Sequence, residues 1–312
     1  MTLQQLHYII ALDIERNFVK AAERCYVTQP ALTVQIQKLE EELGAIIFDR
    51  SKKPLIPTDL GVKLIEQARQ VIQEMEKLKD IVHEYEGDVS GALRLGVLPT
   101  IGQYLLPHFV QDFISQYPRV YLHVEEGQTE ELITGLKNGT LDAAIFATPV
   151  EDQNIAGRPL YYEEMLVFVS PEHPYAVKKQ IEPDELTVDE LWLLSMGNCF
   201  RNQVVNICNR EQTENEDIHF TYESDSIESL KRIVKLQKGL TVIPEMAGWD
   251  LQESEKKMLK PFAHMTPVRE ISLVVNRTFL KKKLIDTLHQ TITGSLPAHM
   301  LKINGRSLIE PY

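Results

Sequence analysis

A heptad stripe in the middle of the N-terminal third constrains this chain more than any other feature. Leu64, Ala68, Val71, Met75, Leu78, Val82 and Tyr85 recur at alternating spacings of four and three. That rhythm belongs to a long helix offering a seam to a second helix, although a single buried helix can carry a similar stripe. Before it, apolar residues follow the helical period. After Gly91 they switch to alternating strands and helices. One packed layer cannot hold both patterns. The chain therefore reads as an N-terminal helical module over 1–58, a dimerisation linker helix over 59–88 and a larger α/β region over 89–312.

A length of 312 residues suffices for several cores, and 43% apolar with 25% charged residues is ordinary for a globular protein. The start, from Met1 to Leu6, lacks the basic and apolar run of a signal peptide, and no stretch of about 18 apolar residues suits a membrane. The expected location is cytoplasmic, with no membrane partner. Three cysteines do not make a disulfide framework. The formal charge of −12 argues against a protein that coats nucleic acid indiscriminately. Local distribution still leaves room for a basic patch, since no acid lies between Thr28 and Lys38 and Arg50, Lys52 and Lys53 follow closely. Glu40, Glu41 and Glu42 are then expected on a solvated face.

Leu6, Ile9, Ile10, Leu12 and Ile14 form one helical stripe, and Phe18, Ala21, Ala22 and Cys25 a second. A third helix opens at Thr28, the expected N-cap, with Pro30 in its first turn. Leu32, Ile36 and Leu39 point inward, leaving Thr33, Gln35 and Lys38 outside. This is helix-turn-helix logic. Gln29, Thr33 and Gln35 are suited to base edges, and Pro30 belongs to the same DNA-facing turn. Thr28, Lys38, Arg50, Lys52 and Lys53 are suited to phosphates. The segment 48–58, punctuated by Pro54 and Pro57, predicts a short hairpin or wing, and Thr58 a cap for the linker helix.

Beyond Gly91, strands over 93–97, 120–124 and 141–146 alternate with helices over 101–117 and 130–137. This order predicts a mostly parallel sheet. A second copy follows, with a strand over 165–169, another over 219–223, a helix over 226–238 and a strand over 240–243. The strand at 271–275 and the helix at 280–292 return to the first half. The expected subdomains are about 91–162 with 268–300, and about 163–267, with a ligand cleft between them.

Cys199 and Cys208 stand nine positions apart. In a helix that spacing separates them by about 13 Å along the axis, whereas a disulfide needs Cα atoms within about 7 Å. They could be two small buried apolar residues, or a pair that bonds only when the backbone changes shape. The expected activators of a Cys199 thiolate are Arg201, two residues on, and a helix start at Gly197-Asn198. Thr100 and Thr129 each follow a strand, where a threonine usually caps the next helix. No histidine spacing suits a metal, and no cofactor is expected.

Taken together, the chain resembles the LysR-type transcriptional regulators over its whole length. The matching residues are Phe18 to Glu23, Thr28 to Thr33, Ile36 to Glu40, Leu43-Gly44, Phe48-Asp49-Arg50 and Thr58 to Gly61. Within that family it is similar to the peroxide-sensing members through Leu98 to Pro107, Gln128-Thr129, and Gly197-Asn198-Cys199 with Arg201, Gln203 and Cys208. The resemblance implies an α/β fold with an N-terminal winged helix-turn-helix, a long linker helix and a periplasmic-binding-protein-like regulatory region of two subdomains. It implies that Cys199 reacts with hydrogen peroxide, that Cys208 resolves it to a disulfide, and that Thr100 and Thr129 line the peroxide pocket. It also implies double-stranded DNA as partner, self-association through the linker helix and on to a tetramer, and RNA polymerase as a candidate contact. Asn198 and Asn202 stand where such proteins often carry histidine and aspartate. Rival readings are a metabolite-sensing regulator of the same family, a thiol peroxidase, and a solute-binding transport protein.

Overall fold

The first helix opens on a reciprocal cap. The Thr2 hydroxyl accepts from the Gln5 N–H while the Gln5 side chain accepts from the Thr2 N–H at 2.8 Å. In this computed structural model, which describes residues 1–86, 89–150, 152–208, 224–279 and 281–311, helices α1 (Leu3–Glu15), α2 (Phe18–Arg24) and α3 (Gln29–Leu43) enclose one core. Leu6, Ile9, Leu12, Ala21, Leu32, Ile36 and Leu39 fill it. Strands β1 (Phe48–Asp49) and β2 (Ile56–Pro57) pair antiparallel to form the expected wing. Glu40 does not lie on a solvated face. Its carboxylate accepts from the Ile47 N–H at 2.8 Å and pairs with Arg50 at 2.7 Å, clasping the wing to α3.

Helix α4 (Asp59–Glu86) is capped by Thr58, whose hydroxyl accepts from the Gly61 N–H at 2.9 Å. The heptad stripe divides between two roles along this helix. Ala68, with Ile65 and Ile72, packs into the N-terminal core, while Val71 and Leu78 stand exposed. The side chains of Val82 and Tyr85 lie outside the described residues.

The chain divides into two units, Met1–Asp88 with Asn138–Thr140, and Val89–Lys137 with Leu141–Tyr312. The second unit begins with β3 (Gly91–Val97), α5 (Pro99–Gln116), β4 (Val120–Glu126), α6 (Thr129–Asn138) and β5 (Ala143–Thr148). It continues through β6 (Ile155–Val169), α7 (Cys199–Ile207), α8 (Ile227–Leu236), β7 (Leu240–Pro244), α9 (Glu253–Lys256), β8 (Leu259–Lys260), β9 (Pro267–Asn276), α10 (Lys282–Gly294) and β10 (Ser307–Leu308). The strand expected at 219–223 falls outside the described residues.

The sheet runs β4-β3-β5-β9-β6-β7. It is not mostly parallel. Along this order only β4, β3 and β5 run together, whereas β5–β9, β9–β6 and β6–β7 are antiparallel, and β10 adds a short parallel pairing on β9. The cause is β6, which pairs with β9 from Ile155 to Glu164 and then continues to pair with β7 from Met165 to Val169. One continuous strand thus serves both halves, where the sequence pattern suggested a separate strand at 165–169. Two cores result. Leu95, Phe109, Phe146, Leu273 and Leu288 belong to one, and Val167, Phe168, Leu230, Val242 and Phe262 to the other.

Candidate functional site

Gly197 adopts φ +86°, a left-handed turn that suits a residue without a side chain. The turn delivers Asn198 to the N-cap of α7, where its Oδ1 accepts from the Phe200 N–H at 3.0 Å. Cys199 therefore becomes the first residue of the helix. Asn198, one of the two departures from the peroxide-sensing pattern, is buried and serves as this cap, while Asn202 is exposed.

Three elements bring polar groups to the Cys199 sulfur. Thr129, the first residue of α6, hydrogen-bonds the thiol, and the N–H groups of Cys199 and Phe200 face it. Arg269 of β9 supplies the nearby positive charge. Its side chain is fully buried, with Nε and Nη2 donating to one Glu163 oxygen at 2.9 and 2.7 Å. Nη2 also donates to the Thr100 carbonyl at 3.0 Å, and Nη1 to the Thr100 hydroxyl at 3.3 Å. The guanidinium lies 4.8 Å from the centre of the Phe200 ring. The other Glu163 oxygen accepts from the Met246 N–H at 3.2 Å. Burial pushes the Glu163 carboxyl up while Arg269 pulls it down.

Thr100 and Thr129 do not act as side-chain caps. Leu98 occupies the N-cap of α5, and both hydroxyls turn inward, Thr100 to Arg269 and Thr129 to Cys199. Arg201 is not the cation at the thiol. It turns away and donates to the Leu194 carbonyl at 3.0 Å. Sequence proximity pointed to Arg201, but side chains two apart on a helix do not share a face. Arg269, 70 residues from Cys199 in the sequence, gave no such signal. A lone arginine within an apolar strand run is its only trace.

The thiol is not set low. Burial raises the Cys199 pKa, and Arg269, Thr129 and the two N–H groups offset this only partly. Cys208 has no such offset, and burial pushes its thiol up to about 12. Both cysteines are free. Helix α7 spans Cys199–Ile207 and Cys208 is its C-cap, so nine helical steps hold the two apart by about 13 Å. Cys199 packs into the first core of its unit and Cys208 into the second. Among the described residues no His, Cys, Asp and Glu cluster suits a metal ion.

In the N-terminal unit, Thr28, Gln29, Pro30 and Lys38 are exposed on α3 and its cap, and Lys52 and Lys53 on the wing. Thr28 makes no side-chain cap bond, which leaves its hydroxyl free of the helix end. Thr33 bonds back to the Gln29 carbonyl at 2.9 Å, and Gln35 accepts from Gln5 Nε2 at 3.3 Å. Arg50 is held by Glu40 and lies 5.7 Å from the Phe18 ring centre, so it is a clasp rather than a free phosphate contact. Tyr26, in the turn before α3, is 97% exposed with φ +56°, and sequence pattern alone did not single it out.

Residues 3–62 match the family model for the bacterial regulatory helix-turn-helix protein, lysR family, and residues 86–296 match that for the LysR substrate binding domain. The chain is 32% identical to the DNA-binding transcriptional dual regulator OxyR of Escherichia coli K12, over 97% of this chain and 98% of that one. It is 36% identical to the hydrogen peroxide-inducible genes activator of Haemophilus influenzae, over 88% of this chain and 90% of that one. Among solved structures, a cysteine-to-aspartate variant of full-length OxyR from Pseudomonas aeruginosa matches with a TM-score of 0.77 and 32% identity, covering 96% of this chain and 99% of that one.

Proposed function

This chain belongs to the LysR family of bacterial transcriptional regulators, and on that premise we propose that it switches transcription when hydrogen peroxide joins Cys199 to Cys208. It is a DNA-binding regulator that self-associates, not an enzyme. The observation that carries the peroxide reading is the convergence of Thr129 and of Arg269, itself held by Thr100, on a thiol at a helix N-terminus. Peroxide both donates and accepts hydrogen bonds, and this cup offers partners of both kinds.

The Cys199 sulfur attacks one peroxide oxygen, an S–O bond forms and the O–O bond breaks. The thiol proton ends on the departing oxygen, which leaves as water. Cys199 is then a sulfenic acid. Cys208 attacks that sulfur, the S–O bond breaks and a second water leaves with the disulfide in place. Two thiols have been oxidised and one peroxide reduced to two waters. Burial raises the pKa of both thiols, but Cys199 has Arg269, Thr129 and two N–H groups to offset it while Cys208 has none, which favours Cys199 as the thiol that meets peroxide first. Because α7 holds the two apart, closure requires the helix to unwind.

The DNA contacts we assign are Thr28, Gln29, Pro30, Thr33, Lys38, Lys52 and Lys53, with Gln35 drawn toward Gln5. A second copy covers Val71 and Leu78 of the linker helix, both exposed in the single chain. We further assign 1–58 to DNA binding, 59–88 to dimerisation and 89–312 to regulation. Assembly to a tetramer, contact with RNA polymerase and a cytoplasmic setting complete the reading. The test is a stoichiometric peroxide titration of the purified chain with thiol counting by mass mapping. Selective loss of Cys199 and Cys208 is expected, with Cys25 retained and with no response in Cys199→Ser. A fully responsive Cys199→Ser protein overturns the reading.

A further inference from the structure

The residues after Arg306 form a strap over the redox helix. Strand β10 pairs with the start of β9, Ser307 opposite Pro267 and Leu308 opposite Val268. The Ser307 N–H donates to the Thr266 carbonyl at 2.8 Å and the Ile309 N–H to the Val268 carbonyl at 2.9 Å. The strap then crosses α7. Gln203 Nε2 donates to the Ile309 carbonyl at 2.8 Å, and Asn206 Nδ2 reaches the Glu310 carbonyl at 3.4 Å. Ile309 packs against the core that holds Cys208, and Pro311 is buried. Gln203 is 0% exposed, and among the described residues its Oε1 has no hydrogen-bond partner. Its tail contact is thus the one hydrogen bond the structure gives this buried side chain.

Gln203 sits four residues after Cys199 and five before Cys208. Any path that closes the gap between those cysteines must unwind the helix around it, and Gln203 cannot then keep its place under Ile309. We propose that residues 307–311 act as a restraint that holds α7 helical, and so holds the pair of thiols apart, until oxidation pulls Gln203 and Asn206 from the strap. The restraint rests on the Cys199–Cys208 reading for its purpose but not for its existence. It also touches β9 at Val268, the residue before Arg269, so its release reaches the strand that carries the positive charge at the thiol.

Three variants test it: a chain shortened to end at Arg306, and two of full length, Gln203→Leu and Asn206→Ala, the last with an exposed side chain and the safest fold. In the reduced state, backbone amides over 200–207 should exchange hydrogen faster in all three. In thiol–disulfide buffers the Cys199–Cys208 equilibrium should move about tenfold toward the disulfide in the shortened chain, the net effect expected of two lost side-chain bonds. Unchanged exchange over 200–207 in folded variants overturns the restraint. Faster exchange in a protein whose wild type never forms the disulfide leaves the restraint standing and removes the peroxide reading instead.

Discussion

Replacing Arg269 by methionine separates what this side chain does for the fold from what it does for the thiol. Arg269 and Glu163 are 0% and 1% exposed, so the single change leaves a carboxylate buried without its cation. Removing one partner of such a pair costs about 3–5 kcal/mol, while replacing both by apolar residues of similar volume is often neutral. The double variant Arg269→Met with Glu163→Leu should therefore recover stability to within about 1 kcal/mol of wild type. It should not recover reactivity, because the thiol has lost its positive neighbour and Thr100 its tether. A slowing of about a hundredfold in Cys199 oxidation, the scale of losing one preorganised donor at a reacting atom, is expected in both variants. Both tryptophans, Trp192 and Trp249, lie in the regulatory unit and report urea unfolding directly. Stopped-flow thiol loss with peroxide gives the rate. A double variant that reacts at the wild-type rate refutes the assignment of Arg269, and a single variant of unchanged stability refutes the buried pair.

Two further outcomes follow from the same structure. The Cys208 thiol is raised to about 12 in the fold, against about 8.5–9 in an unfolded chain; the folded state then holds a proton that the unfolded state has lost. Stability from this group is complete below pH about 9 and falls as pH rises toward 12, by about one proton per molecule. Cys208→Ala should lose that part of the alkaline slope in urea titrations, and an unchanged slope contradicts it. On the wing, the double change Lys52→Ala with Lys53→Ala should lower affinity uniformly across DNA sequences and reduce the salt slope by about 2, measured by fluorescence anisotropy at several salt concentrations. A sequence-dependent loss would instead mean that these lysines read bases.

Local features were legible because they are written in short spacings. The caps at Thr58 and Asn198, the inward trio Leu32, Ile36 and Leu39, and the helix separating Cys199 from Cys208 all follow from neighbours in the chain. What was not legible depends on pairing at long range. Arg269, Glu163 and Thr100 meet only because β6 and β9 run antiparallel beside the start of α5, a register that no periodicity reports. The direction of the Cys199 shift was missed for the same reason. Its burial comes from a core assembled from both ends of the regulatory sequence. Glu40 and Arg50 misled in the opposite way, since a charge on α3 and another on the wing each read as surface until the clasp between them is seen.

The two sulfurs are lodged in separate packed interiors, Cys199 in one and Cys208 in the other. Dense interiors deform little, and a vacated site keeps part of its void. Neither sulfur can drift toward the other by small degrees without leaving a hole behind it. Halfway positions are therefore the least comfortable ones, and the protein should settle in either of two arrangements with little in between. A chemical change at a single atom is converted in this way into a decision, which is what a promoter needs from its sensor.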